Sequence, residues 1–170
     1  EEADPVIPPT RPIIDAIWST ADTWLVDQMS PEQRDMMDPG LLAIAEEGRK
    51  VGVTELVDSY AKRVLLGNAM ARFHETYDLL LTPQMPLEAF AAGQNVPDGR
   101  NMKEWVDWSP FTYPFNLTMQ PACSVPCGLG DSRMPIAFQL VGRHWEDALV
   151  LRAARAYEKA RPFAAAPGYV

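Results

Sequence analysis

The sequence predicts an α/β fold in which residues 1–77 are mainly helical and residues 78–170 supply a strand, a long loop, a β-hairpin and a terminal helix. Three observations carry this expectation. Apolar residues return every three or four positions through most of the first half, the period of a helix with one buried face. The run Asp78-Leu79-Leu80-Leu81-Thr82-Pro83 is compact, apolar and closed by proline, which is too short for a helix and fits a strand. Two β-rich stretches flank Gly128-Leu129-Gly130-Asp131, the pattern of a hairpin. With 170 residues the chain holds an ordinary core, so 1–170 is read as one folding unit.

After an irregular lead marked by Pro5, Pro8, Pro9 and Pro12, the residues Ile13, Ile14, Ile17, Trp18, Ala21, Trp24 and Leu25 predict the first amphipathic helix. Ser30-Pro31-Glu32-Gln33 combines a capping hydroxyl, proline at the first helical position and an early acid, so a second, short helix follows. Asp38-Pro39-Gly40 repeats the start signal, and Leu41, Leu42, Ile44 and Ala45 carry a helix to Gly48 or Gly52. From Thr54 and Glu55 a long helix runs to Tyr77 on Leu56, Val57, Tyr60, Val64, Leu65 and Ala69, with Gly67 as its weak point.

The strand at 78–83 reads as buried on both faces. Gln84 to Lys103 then forms a long loop rich in Gly, Pro and Asn, and loops of that length in compact domains are functional or mobile, which makes it a lid candidate. Ser109-Pro110 predicts a short helical turn that Pro121 closes. Ala122 to Pro126 and Pro135 to Val141 are the two hairpin strands, and Glu146 to Ala160 is the last helix.

Composition excludes several functions. A formal charge of -8 with a pI near 4.7 repels phosphate backbones, so nucleic acid is not an expected partner. No apolar stretch approaches the about 20 residues that span a bilayer, and the first residues lack a signal-peptide pattern. No membrane partner is expected. Two cysteines, Cys123 and Cys127, are too few for a disulfide framework and fit a reducing cytoplasm. The start at Glu1-Glu2-Ala3-Asp4-Pro5 reads as the tail of an element that begins upstream.

Chemistry needs nucleophiles, bases and oxyanion donors. None of Ser19, Ser30, Ser59, Ser109, Ser124 and Ser132 has the glycine-rich flank that exposes a nucleophile, and Ser30 and Ser109 read as helix caps before proline. Cys123 with His74 or His144 would make a thiolate–imidazolium pair, whereas a free cysteine between Ala122 and Ser124 in a strand reads as a small buried hydrophobe. Cys123, Cys127, His74 and His144 number enough ligands for zinc but lack its spacing. His74 reads as solvated or capping. Lys50, Lys62, Lys103 and Lys159 read as surface residues, since a lysine base must be buried to lose its charge. No catalytic or metal residue is predicted within the chain.

Tyr77-Asp78-Leu79-Leu80-Leu81-Thr82-Pro83, followed by Phe111-Thr112-Tyr113-Pro114-Phe115-Asn116-Leu117-Thr118-Met119-Gln120-Pro121-Ala122-Cys123-Ser124-Val125-Pro126-Cys127-Gly128, resembles the C-terminal region of the amidase signature family. Met134-Pro135-Ile136-Ala137-Phe138-Gln139-Leu140-Val141-Gly142-Arg143 is similar to the family's G-x-P-x-G-x-Q-x-V-G hairpin, and Glu146-Asp147 leads into its last helix. The resemblance implies a mixed β-sheet covered by helices and an amide hydrolase without metal or organic cofactor. It also implies a Ser-cis-Ser-Lys triad located upstream of this chain.

What this portion then supplies is sheet packing and a substrate-binding wall built from Trp108, Ser109, Phe111 and Asn116. The implied partners are a small-molecule amide, the N-terminal portion of the same enzyme and, for exposed apolar surface, a second copy. In the corresponding chain of tRNA-dependent amidotransferases the position matching Ser109 tends to be Asp. Ser109, beside Trp108 and Phe111, instead implies a stand-alone amidase of apolar or aromatic amides. A non-catalytic amidase-like interaction module and the amidotransferase chain remain the alternatives. Met119 and Ala137 stand where the family usually has Gly.

Overall fold

The computed structural model describes residues 1–163 and divides into two compact units, Glu1–Ala69 and Met70–Val170. The elements run α1 (Arg11–Asp27), α2 (Pro31–Arg34), α3 (Pro39–Gly48), α4 (Val53–Thr76), β1 (Leu79–Pro83), a 3-10 turn (Trp105–Trp108), α5 (Tyr113–Thr118), β2 (Ala122–Leu129), β3 (Pro135–Gly142) and α6 (Asp147–Ala160). The mixed α/β class matches the expectation.

In the first unit, α1 packs on α3. Helix starts follow the sequence signals. Ser30 and Gln33 form a reciprocal capping box at α2, and the Asp38 carboxylate accepts from Gly40 N at 2.7 Å at α3. The inward face of α1 differs from the predicted one. Ile13, Ala16, Ser19, Asp22 and Val26 are buried, while Trp24 is 67% exposed. The α1–α3 contact is close enough that backbone meets backbone, and small or polar side chains fit there where Trp24 would not. Thr23 Oγ1 donates to Ala45 O across it at 2.6 Å. Arg49 grips the Asp27 carboxylate with both terminal nitrogens at 2.9 and 2.6 Å, holding the ends of the two helices together.

Helix α4 also departs from the predicted face. Ser59, Leu66, Ala69, Met70 and His74 are buried, whereas Val53, Val57, Tyr60, Val64 and Leu65 stay exposed. Apolar residues surround most of this helix, so periodicity alone did not pick the buried side.

The second unit holds a three-stranded antiparallel sheet in the order β1-β3-β2. Leu80 lies opposite Val141 and Cys123 opposite Leu140. A bulge between Pro126 and Gly128 lengthens β2 beyond its predicted end, and Pro126 is tolerated because β2 is an edge strand of this sheet. Helix α6 covers one face: Val125, Leu140 and Val150 form a core cluster, with Phe138 and Tyr157 in edge-to-face contact at 4.7 Å. Strand β1 meets the core on both faces at its start, where Leu79 packs against the α6 cluster, and leaves apolar surface open further along. Leu80 is buried, but Leu81 points to the other side and is 62% exposed. No helix among the described residues is long and apolar enough to cross a membrane.

Candidate functional site

The loop between β1 and the 3-10 turn folds back over β3 and is held at three places. Gln84 N donates to Ala137 O at 3.1 Å, extending the β1–β3 ladder by one bond. The Glu88 carboxylate accepts from Asp131 N at 2.7 Å, Ser132 N at 3.0 Å and the Ser132 hydroxyl, all in the hairpin turn. Trp108 Nε1 donates to Asn95 O at 2.9 Å. Between these anchors lies a cavity of about 500 Å³, lined by Met85, Leu87, Phe90, Trp108, Ile136 and Ala137 among others. Phe90 and Trp108 meet edge to face with centroids 5.7 Å apart. Such a size and a mostly apolar lining with a few polar groups are those of small-molecule sites.

Trp108 is placed by the turn that carries it. The Asp107 carboxylate accepts from Lys103 N at 2.7 Å and Glu104 N at 2.9 Å, which fixes the start of the 3-10 segment. Hydrogen bonding holds the Glu88 carboxyl below its ordinary range, the Ser132 hydroxyl first, followed by the Ser132 and Asp131 amides, against the opposing effect of desolvation.

The four residues expected to bind substrate fall in different settings. Trp108 lines the cavity. Ser109 ends the 3-10 turn, its hydroxyl donating to Val106 O at 3.4 Å, and its carbonyl accepts from Thr112 N at 3.0 Å. The cap reading for Ser109 is therefore corrected: Pro110 sits inside a β-turn, and α5 starts later, with Thr112 as its N-cap residue. Phe111 is half-buried, and its carbonyl accepts from Gln139 Nε2 at 2.8 Å. Asn116 is exposed on α5. The cavity thus gathers Trp108, and none of Ser109, Phe111 and Asn116 lines it.

The groups weighed for nucleophilic or metal chemistry are engaged elsewhere. Cys123 packs against the Val125–Leu140–Val150 core. His74 is only 2% exposed, which corrects its solvated reading and leaves the capping one: Nδ1 meets Tyr77 O at 2.9 Å, just past the end of α4. Burial pushes its pKa down, opposed by that bond. His144 Nε2 meets Thr118 O. Lys50 and Lys62 pair with Glu47 and Asp58 on the surface. Among the described residues no three His, Cys, Asp or Glu cluster in a way that could hold a metal ion.

Comparison with known proteins decides the family. The model of the family described as Amidase matches residues 17–151. The chain belongs to the amidase signature family. An acylamidase from Rhodococcus erythropolis is 33% identical over 136 residues, covering 78% of this chain and 28% of that protein. The A subunit of the glutamyl-tRNA(Gln) amidotransferase from Bacillus thuringiensis (strain Al Hakam) is 35% identical over 111 residues, 62% of this chain and 22% of that protein. Among solved structures, a bacterial aryl acylamidase of the amidase signature family superposes with a TM-score of 0.74 at 23% identity, over 95% of this chain and 36% of that one. A structure described as an amidase gives 0.78 at 20% identity, over 89% and 35%. These two show a shared fold. The chain spans 22–28% of the length of the two curated relatives.

Met119 and Ala137, the two positions at which the resemblance leads to an expectation of glycine, fall in definite settings. Met119 ends α5 with φ 59° and ψ 30°, the left-handed conformation in which glycine is favoured at a helix end. Ala137 lines the loop cavity, so its methyl occupies space a glycine would leave open. Sequence reasoning missed Glu88, Gln139 and Gln120. Gln139, 4% exposed, bridges Thr82 Oγ1 and Phe111 O, and Gln120 accepts from Thr118 Oγ1 while donating to Gly142 O. A polar residue inside an apolar strand, as Gln139 is, was the available signal.

Proposed function

We propose that this chain is the C-terminal part of an amidase that hydrolyses carboxylic amide C–N bonds to an acid plus ammonia or an amine. In this reading the family's Ser-cis-Ser-Lys triad acts from the part of the enzyme that this chain does not span. The lysine draws a proton through one serine, and the other serine attacks the amide carbon. The C–N bond breaks as ammonia or the amine leaves with that proton, and water then cleaves the acyl-enzyme ester to release the acid and restore the serine. The chain supplies a wall of the substrate site, with Trp108 in the loop cavity and Ser109, Phe111 and Asn116 outside that cavity, and its partners are the N-terminal portion of the enzyme and an amide substrate.

The observation that carries the reading is the aromatic-walled cavity beside Trp108 in a chain of this family. Its mostly apolar lining, and a Glu88 carboxylate already committed to the hairpin turn, favour an apolar or aromatic amide over a cationic one. Burying a phenyl-sized group contributes about 1.5–3 kcal/mol, enough to prefer it about tenfold or more over a small amide. The test is hydrolysis of an aryl amide by the chain joined to the missing portion, beside the chain alone. Activity in the chain alone overturns the division of labour.

The similarity to the Bacillus amidotransferase supports a second reading, in which the chain belongs to the amidase-like component of a tRNA-dependent amidotransferase. It requires glutaminase activity coupled to charged tRNA, and the absence of that coupling in the reconstituted enzyme removes it. The exposed faces of Leu81 and of Val53, Val57 and Val64 are consistent with cover by the N-terminal portion or a second copy. Mass measurement in solution separates these.

A further inference from the structure

Glu88 joins two parts of the second unit that lie 43 residues apart. Its two carboxylate oxygens take the Asp131 and Ser132 amides and the Ser132 hydroxyl. The turn is built to receive it. A Cβ at Gly130 would lie 2.1 Å from Glu88 Oε1, so any larger residue at 130 would push the carboxylate out. Arg133 holds φ at 64°, and the turn closes on itself through Arg133 N to Gly130 O and Gly130 N to Met134 O, both at 2.9 Å. Convergent backbone amides of this kind form an anion-binding concavity, here filled from within the chain.

Both partners of this contact carry part of the cavity lining, Glu88 itself included. Met85, Leu87 and Phe90 flank Glu88 on the loop, while Ile136 and Ala137 follow the turn on β3. A shift of the loop against the turn therefore changes the width of the cavity. The other two backbone anchors, at Gln84 and Asn95, lie on either side of Glu88; between them Phe90 also rests on Trp108 and Met85 Sδ accepts from Thr112 Oγ1, but Glu88 makes the stretch's contact with the hairpin turn.

We propose that Glu88 is the positioning residue of the cavity: by clamping the loop to the Gly130–Arg133 turn it sets the cavity's width, and so sets the preference for bulky apolar amides over small ones. The proposal rests on the amidase reading above. It assigns Glu88 no contact with the reacting atoms.

The test uses the whole enzyme with 4-phenylbutanamide and acetamide as substrates, comparing wild type with Glu88→Ala, Glu88→Gln and Gly130→Ala. In Glu88→Ala and Gly130→Ala the ratio of kcat/KM for the phenyl amide over acetamide falls about tenfold, chiefly through KM for the phenyl amide. Glu88→Gln, whose amide oxygen still accepts from a turn N–H, falls by less. A ratio that stays put, or an equal loss on both substrates, overturns the proposal, since a merely structural role lowers both together. Amide hydrogen exchange at Asp131 and Ser132 gives an activity-free readout: it speeds up in Glu88→Ala if the clamp exists, and unchanged exchange overturns it. A wild-type enzyme inactive on both amides removes the amidase reading and the substrate preference with it, a result the exchange data distinguish from a missing clamp.

Discussion

Gly48 of α3 lies so close to Ser19 of α1 that a Cβ at position 48 would sit 2.0 Å from the Ser19 carbonyl oxygen. Backbone is in the way, so no side-chain rotation relieves the clash. Gly48→Ala is therefore expected to destabilise the chain by about 1–3 kcal/mol, the usual cost of overpacking a close contact. Gly67 is the control, because nothing lies within 4 Å of a Cβ there. Gly67→Ala, inside α4, should stabilise by about 0.5–1 kcal/mol. Equilibrium denaturation of both variants checks the pair, and equal effects would contradict the contact.

Met119 holds a left-handed conformation and is 72% exposed. A non-glycine residue there costs about 1–2 kcal/mol, partly offset by the extra freedom glycine gives the unfolded chain. Met119→Gly should thus raise stability by about 0.5–1 kcal/mol, read as a higher thermal midpoint.

His74 makes stability depend on pH. Burial lowers its pKa in the folded chain below the ordinary imidazole value, so between the two values the unfolded chain binds more protons. Stability is then complete above the unfolded value, near 6.5, and falls as pH drops toward the folded one. Denaturation at a series of pH values from 8 to 5 should show this decline in wild type. The slope should shrink in His74→Gln, which leaves His144 as the one remaining histidine of the two in the sequence.

Gln139 is the interior support of Phe111. Gln139→Leu removes the donor to Phe111 O and leaves that carbonyl without its side-chain partner, a change expected to cost about 1–3 kcal/mol. In the whole enzyme the same variant should raise KM for aryl amides if the Phe111 segment forms part of the substrate wall. A variant that is destabilised with KM unmoved would detach Phe111 from the site.

Element existence was legible in the sequence because its signals are local. Ser30-Pro31-Glu32-Gln33 carries its own cap, Asp38-Pro39 its own start, and the stretches at 122–126 and 135–141 their own alternation and turn. The order of motifs from Tyr77 to Glu146 likewise carried the family. Boundaries slipped where two local readings compete: Pro110 suits a helix start and the second position of a turn equally, and the structure uses the turn.

Faces and sites were not legible for the same reason. On α1 the side that carries Ser19 and Thr23 meets Gly48, a residue of another helix, while Trp24 stays exposed. Whether a glutamate in a loop is a surface charge or a clamp depends on two amides more than 40 positions away. Trp108 was singled out from its neighbours in sequence, but the cavity that it helps to line exists only because the loop at 84–95 returns over β3. The sequence by itself determined the helices, the hairpin and the amidase family. Tertiary structure alone decided which surfaces are buried and where a cavity opens, since both are set by contacts between residues that no local pattern relates.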